Sequence, residues 1–146
     1  MALTGIWCDM YKSPQSPQVA ELTYSGTPSA QSYTYTMTVN QQTTSFLSVS
    51  SSTDISLPAG QYYAIAYPDF TRTQTSRANE IHWFIDGTQI GSVGGSDHFN
   101  SQSTDNAEAA FTLTSTGTLT LRQTDWSGSA IALTSDARCL VWKMPL

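Results

Sequence analysis

The chain has 146 residues, a formal net charge of −5 and a charged fraction of 12%, about half of what is usual in globular proteins. The length fits one domain with its own hydrophobic core. An acidic chain whose lysines are Lys12 and Lys143 is a poor partner for nucleic acid. No segment is apolar enough to span a membrane, and the residues after Met1 lack the basic and apolar regions of a secretion signal. We therefore expect synthesis in a cytoplasm and no membrane partner.

The first third of the chain contains three candidate strands. Residues 4–11 alternate apolar side chains between two faces and end before two prolines, which fix φ and remove amide donors. Residues 19–24 form a weaker candidate. Residues 33–39 alternate large apolar side chains with threonines, which predicts a strand with one buried face and one solvated face.

The middle of the chain contains a strand with apolar side chains on both faces. After a short candidate strand around Val49 and an apolar lead-in at Ile55, a Pro-Ala-Gly turn precedes residues 61–67. One face of that segment is formed by Tyr63, Ile65 and Tyr67 and the other by Tyr62, Ala64 and Ala66. We expect one face to lie in the core and the other to be covered by something else.

Residues 80–90 give the strongest local signal. Their alternation is interrupted by Asp86-Gly87, which supplies the positive φ that a two-residue hairpin turn needs. A Gly- and Ser-rich loop is predicted over residues 91–106. The remaining candidate strands are residues 107–113, 118–122, 129–133 and 137–144. About ten short strands without a helical period predict an antiparallel sandwich.

From Gly60 onward the pattern resembles the jelly rolls of the tumour-necrosis-factor (TNF) and C1q family. The segments that carry the resemblance are residues 60–67, 83–87, 107–113, 117–121 and 138–144. It implies an all-β, antiparallel two-sheet jelly roll over residues 1–146 as a single domain. It also implies a homotrimer in which the sheet holding the first, last and glycine-aromatic strands lines the three-fold axis. On this basis the trimer interface is predicted at Tyr62, Ala64, Ala66 and Trp142.

Similar jelly rolls occur in bacteriophage and other virion proteins, and the Ser-, Thr-, Gln- and Tyr-rich composition resembles those. The first hypothesis is a virion protein that decorates or cements a capsid by binding the major capsid protein. Its predicted capsid contacts are Trp7, Tyr11, Pro14 and Pro17. The alternative is a receptor- or glycan-binding head of a phage spike or tail fibre. Its predicted glycan contacts are Trp126, Phe99 and Tyr24.

No set of residues in the sequence identifies a chemical reaction. His82 lies within a predicted strand and His98 lies on a loop beside an aspartate, without the further ligands of a zinc site. A Gly-x-Ser-x-Gly nucleophile elbow is missing from the sequence. The loop carboxylates of Asp97, Asp105 and Asp125 lack the alternating spacing of a calcium loop. We therefore predict no enzymatic activity, no metal and no cofactor.

The two cysteines, Cys8 and Cys139, fall in the predicted first and last strands. Because these strands pair in a jelly roll, the two thiols come within bridging distance if the register agrees. Maturation outside the cell would then favour a disulfide. The other interpretation, which we favour, is that both are buried, reduced and apolar in character.

Overall fold

The computed structural model describes residues 16–26, 33–68, 79–96, 105–126 and 137–145, with only the backbone described at positions 79, 96, 125 and 126. These residues form ten strands. They are β1 (Gln18–Ser25), β2 (Thr36–Gln42), β3 (Ser48–Ser50), β4 (Asp54–Leu57), β5 (Gly60–Tyr67), β6 (Asn79–Ile85), β7 (Thr88–Ser96), β8 (Ala107–Leu113), β9 (Gly117–Trp126) and β10 (Arg138–Met144). Within this part of the chain, no helix is long and apolar enough to cross a membrane. The strands predicted at residues 4–11 and 129–133 lie outside the described residues.

The strands form two five-stranded antiparallel sheets. The first sheet has the order β2-β1-β10-β5-β8 and the second has the order β3-β4-β9-β6-β7. The last strand is therefore in the middle of the first sheet, between β1 and the glycine-aromatic strand β5. This arrangement confirms the predicted all-β, two-sheet jelly roll.

The core lies between the two sheets, and one part of it pairs a large side chain of the second sheet with small ones of the first. Trp83 of β6 is fully buried, and its indole Nε1 donates a hydrogen bond across the sandwich to the carbonyl oxygen of Ala107 at 3.0 Å. Ala64 and Ala66 lie opposite Ala109 and Ala107 in the β5–β8 pair. Four alanines on adjacent strands provide the space that an indole needs in a close-packed interior.

Residues 33–35 belong to the second sheet, although the sequence predicts one strand from 33 to 39. The amide of Tyr35 donates to the carbonyl of Leu121 at 3.0 Å, and the amide of Gln123 donates to the carbonyl of Tyr33 at 2.8 Å. The chain then crosses to β2 in the first sheet. The phenol of Tyr35 is buried and donates to the side-chain oxygen of Gln123 at 3.2 Å, so the crossing is anchored inside the sandwich.

The predicted hairpin is present, with Asp86 and Gly87 at φ values of 48° and 82°. Its second strand, β7, continues to Ser96 through residues that were predicted to be a loop. Along this extension Gly94, Gly95 and Ser96 pair with β6, and β7 also contacts β8 of the first sheet. The amide of Glu108 donates to Ser92 Oγ at 3.2 Å, and Gly91 lies against the Glu108 carbonyl. This contact closes one side of the sandwich.

Candidate interaction face

The outer face of the first sheet carries a continuous apolar surface. One row across four neighbouring strands runs Val19, Trp142, Tyr63 and Ala110, and the next row has Leu140 beside Ile65 at its centre. We call these six residues the apolar stripe. The other side of the same strands faces the core. Ile65 is buried in the stripe at 6% exposure, Ala110 is exposed, and the other four side chains are partly exposed. The stripe is therefore a second, partly exposed apolar face on the outside of the sandwich, unlike an ordinary solvated sheet face.

Two aromatic residues form the centre of the stripe. The rings of Trp142 and Tyr63 have centroids 5.6 Å apart at an interplanar angle of 42°. The phenol of Tyr63 donates a hydrogen bond to the Glu108 carboxylate at 2.7 Å. This bond, followed by burial and by the charges of Glu108 and Tyr67, raises the pKa of Tyr63 to about 12. Tyr63 is thus held protonated and fixed in position beside the indole.

Carboxylates border the apolar stripe on both sides. In the row through Leu140 and Ile65, Glu21 lies at one end and Glu108 at the other. Each has a neutral donor: Gln41 donates from Nε2 to Glu21 at 3.1 Å, as Tyr63 does to Glu108. A groove of about 290 Å³ lies beside Glu21. Its lining residues are Val19, Glu21, Gln41, Gln42, Thr43 and Leu140. An apolar centre with a polar border is the usual anatomy of a protein interface.

Three of the four residues predicted for the trimer interface face the wrong way for that role. Tyr62, Ala64 and Ala66 are at most 2% exposed and belong to the core cluster inside the sandwich. Tyr62 stacks on Phe111 at 5.5 Å and donates to the carbonyl oxygen of Pro58 at 2.7 Å. They were misassigned because both faces of β5 are apolar, and alternation alone does not tell which face turns inward. Only Trp142 lies on the outer face.

The predicted glycan contacts are also revised by the structure. Tyr24 is 2% exposed and packs edge-on against Tyr35 in the core, with centroids 5.4 Å apart, so it is not a surface contact. The backbone of Trp126 belongs to β9, which runs past the end of the strand predicted at residues 118–122. Phe99 lies outside the described residues.

Of the predicted capsid contacts, Pro17 is described and is exposed just before β1. Trp7, Tyr11 and Pro14 lie outside the described residues, as does Cys8. Cys139 is a free, fully buried thiol on the inner side of β10, opposite Leu22 on one neighbour and Ala66 on the other. Burial first, and then the charge of Glu21, raises the pKa of Cys139 strongly.

The candidate chemical residues are placed on strands and turns. His82 points outward from β6 and is 7% exposed; its Nδ1 lies 3.0 Å from Gln89 Nε2, and its Nε2 lies 3.6 Å from Glu80. The backbone of Asp105 bridges to Gly95. Among the described residues no three potential metal ligands cluster together. His98 and Asp97 lie outside them, and the side chain of Asp125 is not described.

Comparison with solved structures agrees with this architecture. The chain resembles two crystal structures of murine APRIL, a TNF-family jelly roll, determined at pH 8.5 and pH 8.0. Each comparison gives a TM-score of 0.64 at 10% identity and covers 88% of this chain and 100% of the other. No family model and no curated protein matches the sequence. At this identity the likeness concerns the fold: the chain is a TNF-like jelly roll.

Proposed function

We propose that this chain is a non-enzymatic structural protein of a virion that forms a homotrimer through the apolar stripe. In this proposal the trimer decorates or cements a capsid by binding the major capsid protein, after synthesis in the host cytoplasm. The observation that carries the proposal is the second apolar face of the first sheet, formed by Val19, Tyr63, Ile65, Ala110, Leu140 and Trp142. A second copy of the chain is its proposed occupant.

The chemistry of the stripe supports burial against protein. Each apolar side chain removed from water contributes roughly 25 cal/mol per Å² of buried area. The aromatic pair Trp142 and Tyr63 lies at its centre, and aromatic residues at the centre of a face are those that most often dominate association energies. The border carboxylates Glu21 and Glu108 already accept hydrogen bonds within their own chain, which lowers the cost of enclosing them.

The capsid-binding part of the proposal is supported by composition and by position. The chain has a low charged fraction of 12% and is rich in Ser and Thr, so its remaining surface offers many neutral hydrogen-bonding groups. A cement protein acts by burying such surface at junctions between capsid subunits. Pro17 is exposed just before β1, the strand that contributes Val19 to the stripe.

Self-association is tested by native mass spectrometry and sedimentation equilibrium on the full chain. We expect a species of three times the 15.9 kDa chain mass. A Trp142→Glu substitution, which puts a charge at the centre of the stripe, should give monomers with unchanged circular dichroism. Ser48→Glu, an equal charge at an exposed position of edge strand β3, should leave the trimer intact. A wild-type monomer at micromolar concentration overturns the trimer.

Capsid binding is tested separately by adding the purified protein to capsids that lack it. Co-sedimentation of wild-type protein with those capsids is the expected result. If the protein is a trimer but does not bind these capsids, the trimer stands and the decoration role is overturned.

A further inference from the structure

The outer face of the second sheet carries a cation with no carboxylate partner among the described residues. The guanidinium of Arg122 on β9 lies over the ring of Phe84 on β6, with its carbon 4.7 Å from the ring centroid. Its Nε donates to Thr120 Oγ1 at 3.1 Å, and Thr120 is itself 3% exposed. The contact with the ring and the Nε hydrogen bond hold the group over Phe84. The two terminal nitrogens of Arg122 remain as parallel donors.

The described groups next to Arg122 do not provide a carboxylate partner for it. His82 lies directly opposite Arg122 in the β6–β9 register. The Glu80 carboxylate lies 3.6 Å from His82 Nε2, and Gln89 Nε2 lies 3.0 Å from the other ring nitrogen. The Glu80 carboxylate thus lies beside the imidazole and forms no ion pair with Arg122. In a chain with a net charge of −5, a fixed arginine without a described acidic partner is an unusual local feature.

We propose that the terminal nitrogens of Arg122 bind the carboxylate of an Asp or Glu side chain on a protein partner. A planar guanidinium held in one orientation matches a carboxylate with two parallel hydrogen bonds and loses little further entropy on binding. A protein partner is favoured over a sugar acid because the Phe84 ring, the aromatic surface a sugar would need, is already covered by the guanidinium on one side.

This site is independent of the proposed trimer. Arg122 lies on the second sheet, whereas the apolar stripe lies on the first sheet, on the other side of the sandwich. A partner at Arg122 therefore does not compete with a second copy of the chain at Trp142. Failure of either proposal leaves the other standing.

The proposal is tested by NMR on protein labelled with ¹⁵N-arginine, following the Nε–H resonances during titration with an acetylated, amidated hexaglutamate peptide. We expect saturable shifts of the Arg122 resonance. For the variants that lack this resonance, binding of the same peptide is measured by isothermal titration calorimetry. Arg122→Gln should weaken binding by about tenfold or more, the value of a charge-assisted pair. Arg122→Lys keeps the charge but loses the planar donors, and it should also weaken binding. Thr120→Val removes the group that orients Nε and should weaken binding less than Arg122→Gln does.

The matched control is Arg138→Gln, which removes the same charge from an exposed position on the first sheet. Peptide binding should be unchanged in this variant. Equal weakening by Arg122→Gln and Arg138→Gln would mean general attraction to positive charge and would overturn the site. Binding of N-acetylneuraminic acid without binding of the peptide, or no shift of Arg122 at millimolar peptide, would overturn it as well.

Discussion

Trp142 and Tyr63 occupy directly opposed positions on β10 and β5, and their rings meet on the outer face of the first sheet with centroids 5.6 Å apart. Tyr63 in turn donates to Glu108 on the edge strand β8 at 2.7 Å. These contacts connect three adjacent strands on one face. The centre of the apolar stripe is therefore ordered within a single chain. Less side-chain entropy is lost when another surface packs on an ordered one, so this arrangement favours association.

The first prediction concerns the titration of Tyr63. Because the hydrogen bond to Glu108 is the largest cause of its raised pKa, Glu108→Gln should lower the pKa of Tyr63 from about 12 towards 10.0. Glu21→Gln, which removes a carboxylate from the opposite border of the stripe, should leave it unchanged. ¹³C NMR of the tyrosine ring during an alkaline titration measures both. An unchanged Tyr63 pKa in Glu108→Gln would mean that burial alone causes the shift.

The same shift has a consequence for stability. The phenol has a higher pKa in the folded chain than its ordinary value of 10.0, so folding favours the protonated form. The stability that this contact contributes is fully present below pH 10.0 and is lost as the pH rises through about 12. Urea denaturation at increasing pH should show a smaller loss of stability over this window for Tyr63→Phe than for the wild type.

A second prediction tests the inward direction of Ala64. Ala64→Leu should destabilise the fold by about 1–3 kcal/mol, because extra methylenes must fit against the side chains that fill the core. Ser48→Leu, at an exposed position of edge strand β3, should change the free energy of unfolding by less than about 0.5 kcal/mol. Urea denaturation measures both. Equal, small effects would place Ala64 outside the core.

The sequence contains enough information to predict most of the described strands and the hairpin, because alternation and turn chemistry are local. Asp86 and Gly87 adopt the positive φ values that their residue types favour, and β10 is found where its alternation predicts it. The inward face of β5 is not a local property. It depends on packing against the other sheet, whose Trp83 is fully buried and donates to Ala107 on the strand beside β5.

The extension of β7 could not be predicted for a related reason. Glycines in sequence indicate a turn or loop, yet Gly91 and Gly94 allow the backbone of β7 to approach β8 of the other sheet. Likewise the role of Tyr63 at the surface depends on Trp142 and Glu108, which are distant in sequence. The only local signal was that one face of β5 carries larger side chains than the other. Alternation alone does not tell which of the two faces turns outward.

The third prediction concerns the contact between β7 and β8. Gly91 has a φ of +73°, and a Cβ there would collide with the backbone carbonyl of Glu108. Gly91→Ala should therefore destabilise the fold by about 2 kcal/mol or more. Gly87 has a φ of +82° with nothing within 4 Å of an added Cβ. Gly87→Ala should therefore lower the free energy of unfolding by about 1 kcal/mol, because only the backbone is strained. Similar losses of thermal stability in the two variants would argue against a close β7–β8 approach.

The last prediction concerns the reactivity of Cys139. Its thiol is fully buried between Leu22 and Ala66, and burial raises its pKa strongly, so almost no thiolate forms near neutral pH. Iodoacetamide should leave Cys139 unlabelled in the native protein and label it in guanidinium chloride, as measured by peptide mass spectrometry. Ser48→Cys, at an exposed position on β3, should be labelled promptly in the native state. Equally rapid labelling of Cys139 in the native state would show that the β1–β10 pairing opens readily, because the reagent reaches this thiol only when the centre of the first sheet separates.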